Sequence, residues 1–141
     1  MRVITLGTFD MLHIGHLKLF RRCLHLGESL VVGLNKDEFI KAFKGKSPVM
    51  SYKEREAMIT ETGFVDKVIP NDQRRKGSTA LKTILKSKAD LIVVGSDWLK
   101  KDYLGQIGVT AEQLEKYGIS LCFVPYTEGI STTEVKRRLS D

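Results

Sequence analysis

Cysteine is scarce in this 141-residue chain: Cys23 and Cys122 lie far apart and form no CxxC pair. A disulfide framework is excluded, and the two read as free buried thiols of a reducing compartment. No apolar run approaches the roughly 20 residues of a membrane-spanning helix. The opening MRVITLGTFD reads as a strand and not as a signal peptide. The expectation is a cytoplasmic protein without membrane insertion. Repeats, low-complexity tracts and linkers are also lacking, so the length suits one domain over residues 1–141. A chain of this size buries roughly 68–70% of its unfolded surface and needs no metal or disulfide staple to fold.

Charge is unbalanced. Twenty-three Lys and Arg against 17 Asp and Glu give +6, which favours anionic partners. The positive residues are spread out, with short clusters at Arg74-Arg75-Lys76, Lys100-Lys101 and Lys136-Arg137-Arg138. No long basic tail, reading helix or basic-aromatic stripe is present, which argues against a nucleic-acid-binding module.

Five short runs rich in Val, Ile and Leu recur at residues 3–6, 30–34, 65–69, 91–94 and 121–124. They are near-continuous and not alternating, as expected of parallel strands covered on both faces. Between them the spacing predicts helices over 14–27, closed by Gly27, over about 51–62 from the Ser51–Glu54 capping box, and over 78–88 and 110–117. Ser78 and Thr110 are the candidate N-caps, and a last basic helix covers 132–139. The stretch before the Ser51 helix, with Lys44-Gly45-Lys46, reads as a long loop. Strands alternating with helices predict an α/β fold, a doubly wound, five-stranded parallel sheet of Rossmann type, with ligands beyond the carboxyl ends of its strands.

Two strand ends carry motifs. After the first comes Gly7-Thr-Phe-Asp-Met-Leu-His13-Ile-Gly15-His16, an HxGH core opening a helix. Histidines at i and i+3 project the same way. Free backbone N–H groups at the helix start favour an anion, and Gly15 allows close approach of a phosphate. A metal site would need a third ligand, and the only other histidine, His25, lies well inside the following helix. At this edge burial is partial, so neither His13 nor His16 is expected to matter much to folding. After the fifth strand, TEGISTT (127–133) places hydroxyls at another helix start, a second anion cradle facing the first.

On these motifs the chain resembles the small nucleotidyltransferases of the cytidylyltransferase superfamily, and most closely those members that use glycerol 3-phosphate. The likeness runs over nearly the whole chain: GTFDMLHIGH (7–16), SYKER (51–55), FVDKVIP (64–70), GSDW (95–98) and TEGISTT (127–133). It implies a dimeric enzyme that transfers CMP from CTP to a phosphorylated small alcohol, with Mg²⁺ carried by the triphosphate and held by no side chain alone, Asp10 and Asp97 helping to orient side chains or the ion. By position, His13, His16 and Lys46 are then the catalytic residues, the histidines on the nucleotide phosphates. Thr8, Phe9 and Gly15 contact the nucleotide, together with Thr127, Gly129, Ile130, Ser131 and Thr132. Asp10, Lys44, Lys76, Asp97, Trp98 and Tyr126 fall on the acceptor side.

The chain also departs from the family pattern. Tyr126 stands where the family has Arg, Gly63 and Phe64 where it has Arg before the third strand, and Ser96 where it has Asp. An Arg lost beside a bound phosphate is not replaced conservatively by Tyr, so the acceptor is left open. The Arg74-Arg75-Lys76 cluster is a source of compensating charge. The alternatives are an adenylyltransferase of the same superfamily using ATP, and a cytidylyltransferase with a non-glycerol acceptor.

Overall fold

The computed structural model describes residues 1–75, 77–125, 135 and 137–139. Strands β1 (Arg2–Gly7), β2 (Ser29–Asn35), β3 (Lys67–Asn71), β4 (Leu91–Gly95) and β5 (Ser120–Val124) form one sheet in the order β3-β2-β1-β4-β5. Every pairing is parallel. Helix α1 (Ile14–Leu26) joins β1 to β2. Helices α2 (Asp37–Lys44) and α3 (Tyr52–Glu61) precede β3, and α4 (Leu81–Ser87) precedes β4. A 3-10 turn (Ser96–Trp98), α5 (Tyr103–Ile107) and α6 (Ala111–Tyr117) lead to β5. The chain winds outward through β2 and β3, then returns to lay β4 on the other side of β1. This is the expected doubly wound sheet, and the reversal opens a crevice beyond the carboxyl ends of β1 and β4.

The pleat sorts the apolar runs onto two faces. Val3, Leu30, Val32, Leu34 and Val93 pack with Phe20 and Cys23 of α1 and Ile59 of α3. Ile4, Ile92 and Val94 pack with Ile84 of α4, Tyr103 and Ile107 of α5 and Leu114 of α6. Among the described residues no helix is long and apolar enough to cross a membrane.

Local chemistry sets the boundaries. Ser51 with Glu54 and Thr110 with Gln113 each form a complete capping box, as their spacing predicts. Ser78 does not cap α4, whose N-cap is Ala80. Its hydroxyl instead accepts the N–H groups of Arg74 and Arg75 at 3.1 Å each and holds that turn. The third strand sits two residues later than its apolar run suggests, ending on Asn71, and admits Pro70 because β3 is an edge strand. The stretch read as a loop after β2 contains α2, whose Phe39 and Ile40 are buried and whose end is Gly45 at φ 78°. Gly108 ends α5 at φ 68°, where a Cβ would lie 2.2 Å from the Ser78 carbonyl oxygen, so both conformation and space demand glycine. The predicted last helix falls mostly outside the described residues; Val135 and the 137–139 stretch are helical.

Candidate active site

The turn between β1 and α1 is built under strain. Phe9 and Met11 hold φ values of 49° and 53°, in the left-handed region that non-glycine residues seldom adopt. The Phe9 ring folds into the core, 5.3 Å from the Phe20 ring and 5.5 Å from the His16 ring, so its anchoring stabilises the turn. His13 is the N-cap of α1. Its Nδ1 accepts the Gly15 N–H at 3.1 Å, while His16 Nδ1 accepts the His13 N–H at 3.2 Å. The two rings stack with centroids 3.8 Å apart. The N–H groups of His16 and Leu17 turn to the His13 carbonyl.

This corrects in part the expectation of free backbone donors at the helix start, because His13 itself takes up those of Gly15, His16 and Leu17. The correction sharpens the chemistry. With each Nδ1 held as an acceptor, the proton of each neutral imidazole lies on Nε2. His13 Nε2 is buried without a partner. Burial lowers the pKa of His13. It pushes that of His16 down to about 3, with the second imidazole adding to the effect and Asp10 opposing it. Near neutral pH the pair is uncharged.

A cleft of about 540 Å³ opens here, at the switch point of the sheet. Of the residues expected to contact the nucleotide, Thr8, Phe9, Gly15, His13 and His16 line it. Lys44, Lys46, Asp10, Asp97 and Trp98 line it from the other walls. Lys76, Tyr126, Thr127, Gly129, Ile130, Ser131 and Thr132 lie outside the described residues. Lys44 is the final residue of α2 and not part of a loop, and Gly45 turns the chain so that Lys46 follows into the cleft. The Asp10 carboxylate accepts the N–H groups of Val49 and Met50 at 2.7 and 2.9 Å, pinning the segment that leads into α3. Trp98 packs against the core, its ring and that of Tyr103 edge to face with 5.4 Å between centroids, and also lines the cleft.

Sequence reasoning missed the bonds that hold these walls together. Arg55 is fully buried. It donates to Thr8 O at 2.8 Å, to Met50 O at 3.1 Å and to the Asp37 carboxylate at 2.6 Å, clamping the end of β1 and the start of α2 to α3. Asn71 Nδ2 donates to Asn35 Oδ1 at 2.9 Å, and Asn35 Nδ2 donates to Thr8 Oγ1 at 3.1 Å. Asn71 Oδ1 accepts the Gln73 N–H and the Thr83 hydroxyl. Asn35 and Asn71 stand opposite each other in the β2–β3 register, so the placement of polar residues after each strand was the available signal. A second cavity of about 520 Å³ adjoins the cleft, shares Phe39 and Gln73 with it, and carries Lys36 and Arg74. Gly63, one of the departures, closes α3 at φ 76°, a conformation that an Arg there would adopt only under strain.

Among the described residues no three His, Cys, Asp or Glu side chains converge on one point. The arrangement is a cleft lined by two neutral imidazoles, by lysines and carboxylates, and by a strained turn.

Comparison with known proteins agrees with that chemistry. The model of the Cytidylyltransferase-like family matches residues 4–138. Glycerol-3-phosphate cytidylyltransferase of Bacillus subtilis is 37% identical over 141 residues, covering 99% of this chain and 97% of that protein. The Bifunctional protein HldE of Campylobacter concisus is also 37% identical, but the chain spans only 27% of its length. Among solved structures, the lipopolysaccharide core biosynthesis protein of Thermoplasma volcanium superposes with a TM-score of 0.68 at 29% identity, over 90% of this chain and 96% of that one. By fold, by the groups gathered in its cleft and by sequence, the chain belongs to the cytidylyltransferase-like family.

Proposed function

We propose that the chain transfers CMP from CTP to a phosphorylated small alcohol, with glycerol 3-phosphate the leading acceptor, and releases pyrophosphate. The observation that carries this reading is the His13–His16 pair. It consists of two stacked neutral imidazoles with Nδ1 locked and Nε2–H left as donor, one of them buried and unpartnered at the switch point. The relatives of nearly equal length named for glycerol-3-phosphate cytidylyltransferase support the choice of substrates.

The chemistry follows from charge. A phosphate monoester with a second pKa near 6 is largely dianionic at neutral pH, so its oxygen is already a nucleophile and needs no general base. It attacks the α-phosphorus of CTP in line with the bridging oxygen to the β-phosphate; the new P–O bond forms and pyrophosphate departs with the electron pair. The obstacle is repulsion between two polyanions. Lys44 and Lys46 screen it, and the imidazole Nε2–H donors stabilise charge growing on the α-phosphate and on the leaving group. Neutral donors suit this task because they need not exchange protons during transfer.

Mg²⁺ is part of the same reading and would neutralise charge on the triphosphate. Asp10 already serves Val49 and Met50, so Asp97 is the cleft carboxylate that would help hold the ion. Homodimerisation also belongs to this reading, on the strength of the family resemblance. Free thiols at Cys23 and Cys122 support a cytoplasmic location. The test is pyrophosphate release from each of the four NTPs with a panel of phosphorylated acceptors, with and without chelator. CTP-dependent, Mg²⁺-dependent release is expected. Equal or faster release from ATP would move the reading to adenylyl transfer, and full turnover in excess chelator would remove Mg²⁺ from it.

A further inference from the structure

A second unpartnered donor borders the same cleft. Tyr103, the first residue of α5, is 5% exposed and its hydroxyl is buried with no hydrogen bond. Buried hydroxyls in native proteins almost always find a partner, and one left without costs free energy in the empty protein. Burial also drives its pKa upward, so the phenol stays protonated and remains a donor. Around it the wall is made of neutral amides. Gln106, one turn further along α5, is half-buried and faces the cleft. Gln73 is tethered by Nε2 to the carbonyl oxygens of Gln106 and Ser78, at 2.7 and 2.9 Å. That tether joins α5 to the turn after β3, while the Tyr103 ring also meets Phe123 of β5, 6.5 Å between centroids.

The aromatic rings here could suggest a cage for a cationic headgroup, since Trp98, Tyr103 and Phe123 meet edge to face. One contact excludes that. The Lys101 ammonium already lies 5.2 Å from the Trp98 ring centroid and places a positive charge at the wall. A second cation there would be repelled, whereas a phosphate at the mouth and hydroxyls within would be matched.

We propose that this wall is the specificity subsite for the acceptor, that Tyr103 and Gln106 read a hydroxyl beyond its phosphate, and that it selects polyol phosphates against ammonium-bearing phosphates. The inference rests on the cytidylyl-transfer reading above. It adds a class of acceptor and the residues that choose it.

The test compares the native protein with Tyr103→Phe, which keeps the ring and removes only the oxygen. Pyrophosphate release with CTP is followed for glycerol 3-phosphate, sorbitol 6-phosphate, n-propyl phosphate and phosphocholine. In the native protein a polyol phosphate should exceed n-propyl phosphate in kcat/KM by about tenfold or more, the worth of one satisfied neutral hydrogen bond. In Tyr103→Phe that gap should shrink to about threefold or less, through KM for the polyol phosphate. KM for CTP should be unchanged and Tm equal or higher, because an unpaired hydroxyl has been removed. A gap unaltered in an active variant, a rise confined to KM for CTP, or phosphocholine as the best native acceptor would each overturn the inference while leaving cytidylyl transfer standing. Absence of transfer to all four acceptors would overturn the cytidylyl-transfer reading and this inference with it.

Discussion

Replacing His13 by asparagine separates the two tasks that the structure gives this residue. As N-cap, His13 Nδ1 accepts the Gly15 N–H. Asparagine is among the best N-capping residues, and its Oδ1 can take the same bond. Stability should therefore change by no more than about 0.5 kcal/mol, or about 2 °C in Tm for a chain of this length. What asparagine lacks is the far nitrogen, the buried Nε2. Loss of one preorganised donor to developing charge costs about 10²–10³ in turnover, roughly 2.7–4 kcal/mol of barrier. Because that interaction grows in the transition state, the loss should fall on kcat more than on KM for CTP. His13→Ala should show the same catalytic loss plus about 1 kcal/mol of destabilisation from the missing cap. Pyrophosphate release, CTP titration and thermal melting on both variants check this. Turnover of His13→Asn within about threefold of native would refute the donor role; equal melting of the two variants would refute the cap.

Other expectations concern the scaffold. His16 is held neutral, its pKa near 3 against 6.5 when exposed. The unfolded chain thus takes up a proton that the folded chain refuses, and stability present above pH 6.5 is lost as pH falls toward 3. The slope should approach about 1.4 kcal/mol per pH unit, and His16→Asn should flatten it in chemical denaturation. Arg55→Leu leaves two carbonyls without their donor and removes the cation beside Asp37, whose side chain is 41% exposed, and should cost about 2 kcal/mol by the same measurement; a loss below about 1 kcal/mol would show that the clamp contributes little. Gly108→Ala should destabilise by about 1–3 kcal/mol, since its Cβ would meet the Ser78 carbonyl in a left-handed conformation; a neutral result would mean that the turn before α4 yields.

Much of the architecture was legible because buried parallel strands leave an unmistakable signature, runs such as LVVGL and LIVV between helical spacings. The HxGH turn was legible because its residues are adjacent in the chain. Helix α2 was not, since it opens without an N-cap signal: its cap residue Lys36 makes no side-chain capping bond. The α4 N-cap failed for a related reason: a serine hydroxyl satisfies whichever donors come nearest, and at Ser78 those belong to the preceding turn. Arg55 lay in plain view within SYKER, yet its three acceptors come from residues 8, 37 and 50, and no spacing rule joins those positions. The histidine caps were hidden too, because N-cap preferences point to Ser, Thr, Asp and Asn and not to imidazole.

The amide bridge across the strand ends has a direction. The backbone N–H of Gln73 can only donate, so it fixes which end of the Asn71 amide is oxygen. That leaves Asn71 Nδ2 to face Asn35, which fixes Asn35 in turn, and Asn35 Nδ2 then donates to Thr8. Polarisation runs one way along the row, from a peptide group beyond β3 to a hydroxyl at the tip of β1, and each link strengthens the next. Thr8 receives at its oxygen, so its own hydrogen is left to point onward and is made more acidic by everything behind it. A hydroxyl wired in this manner acts as a fixed positive pole at the cleft, set when the chain folds and unaffected by pH.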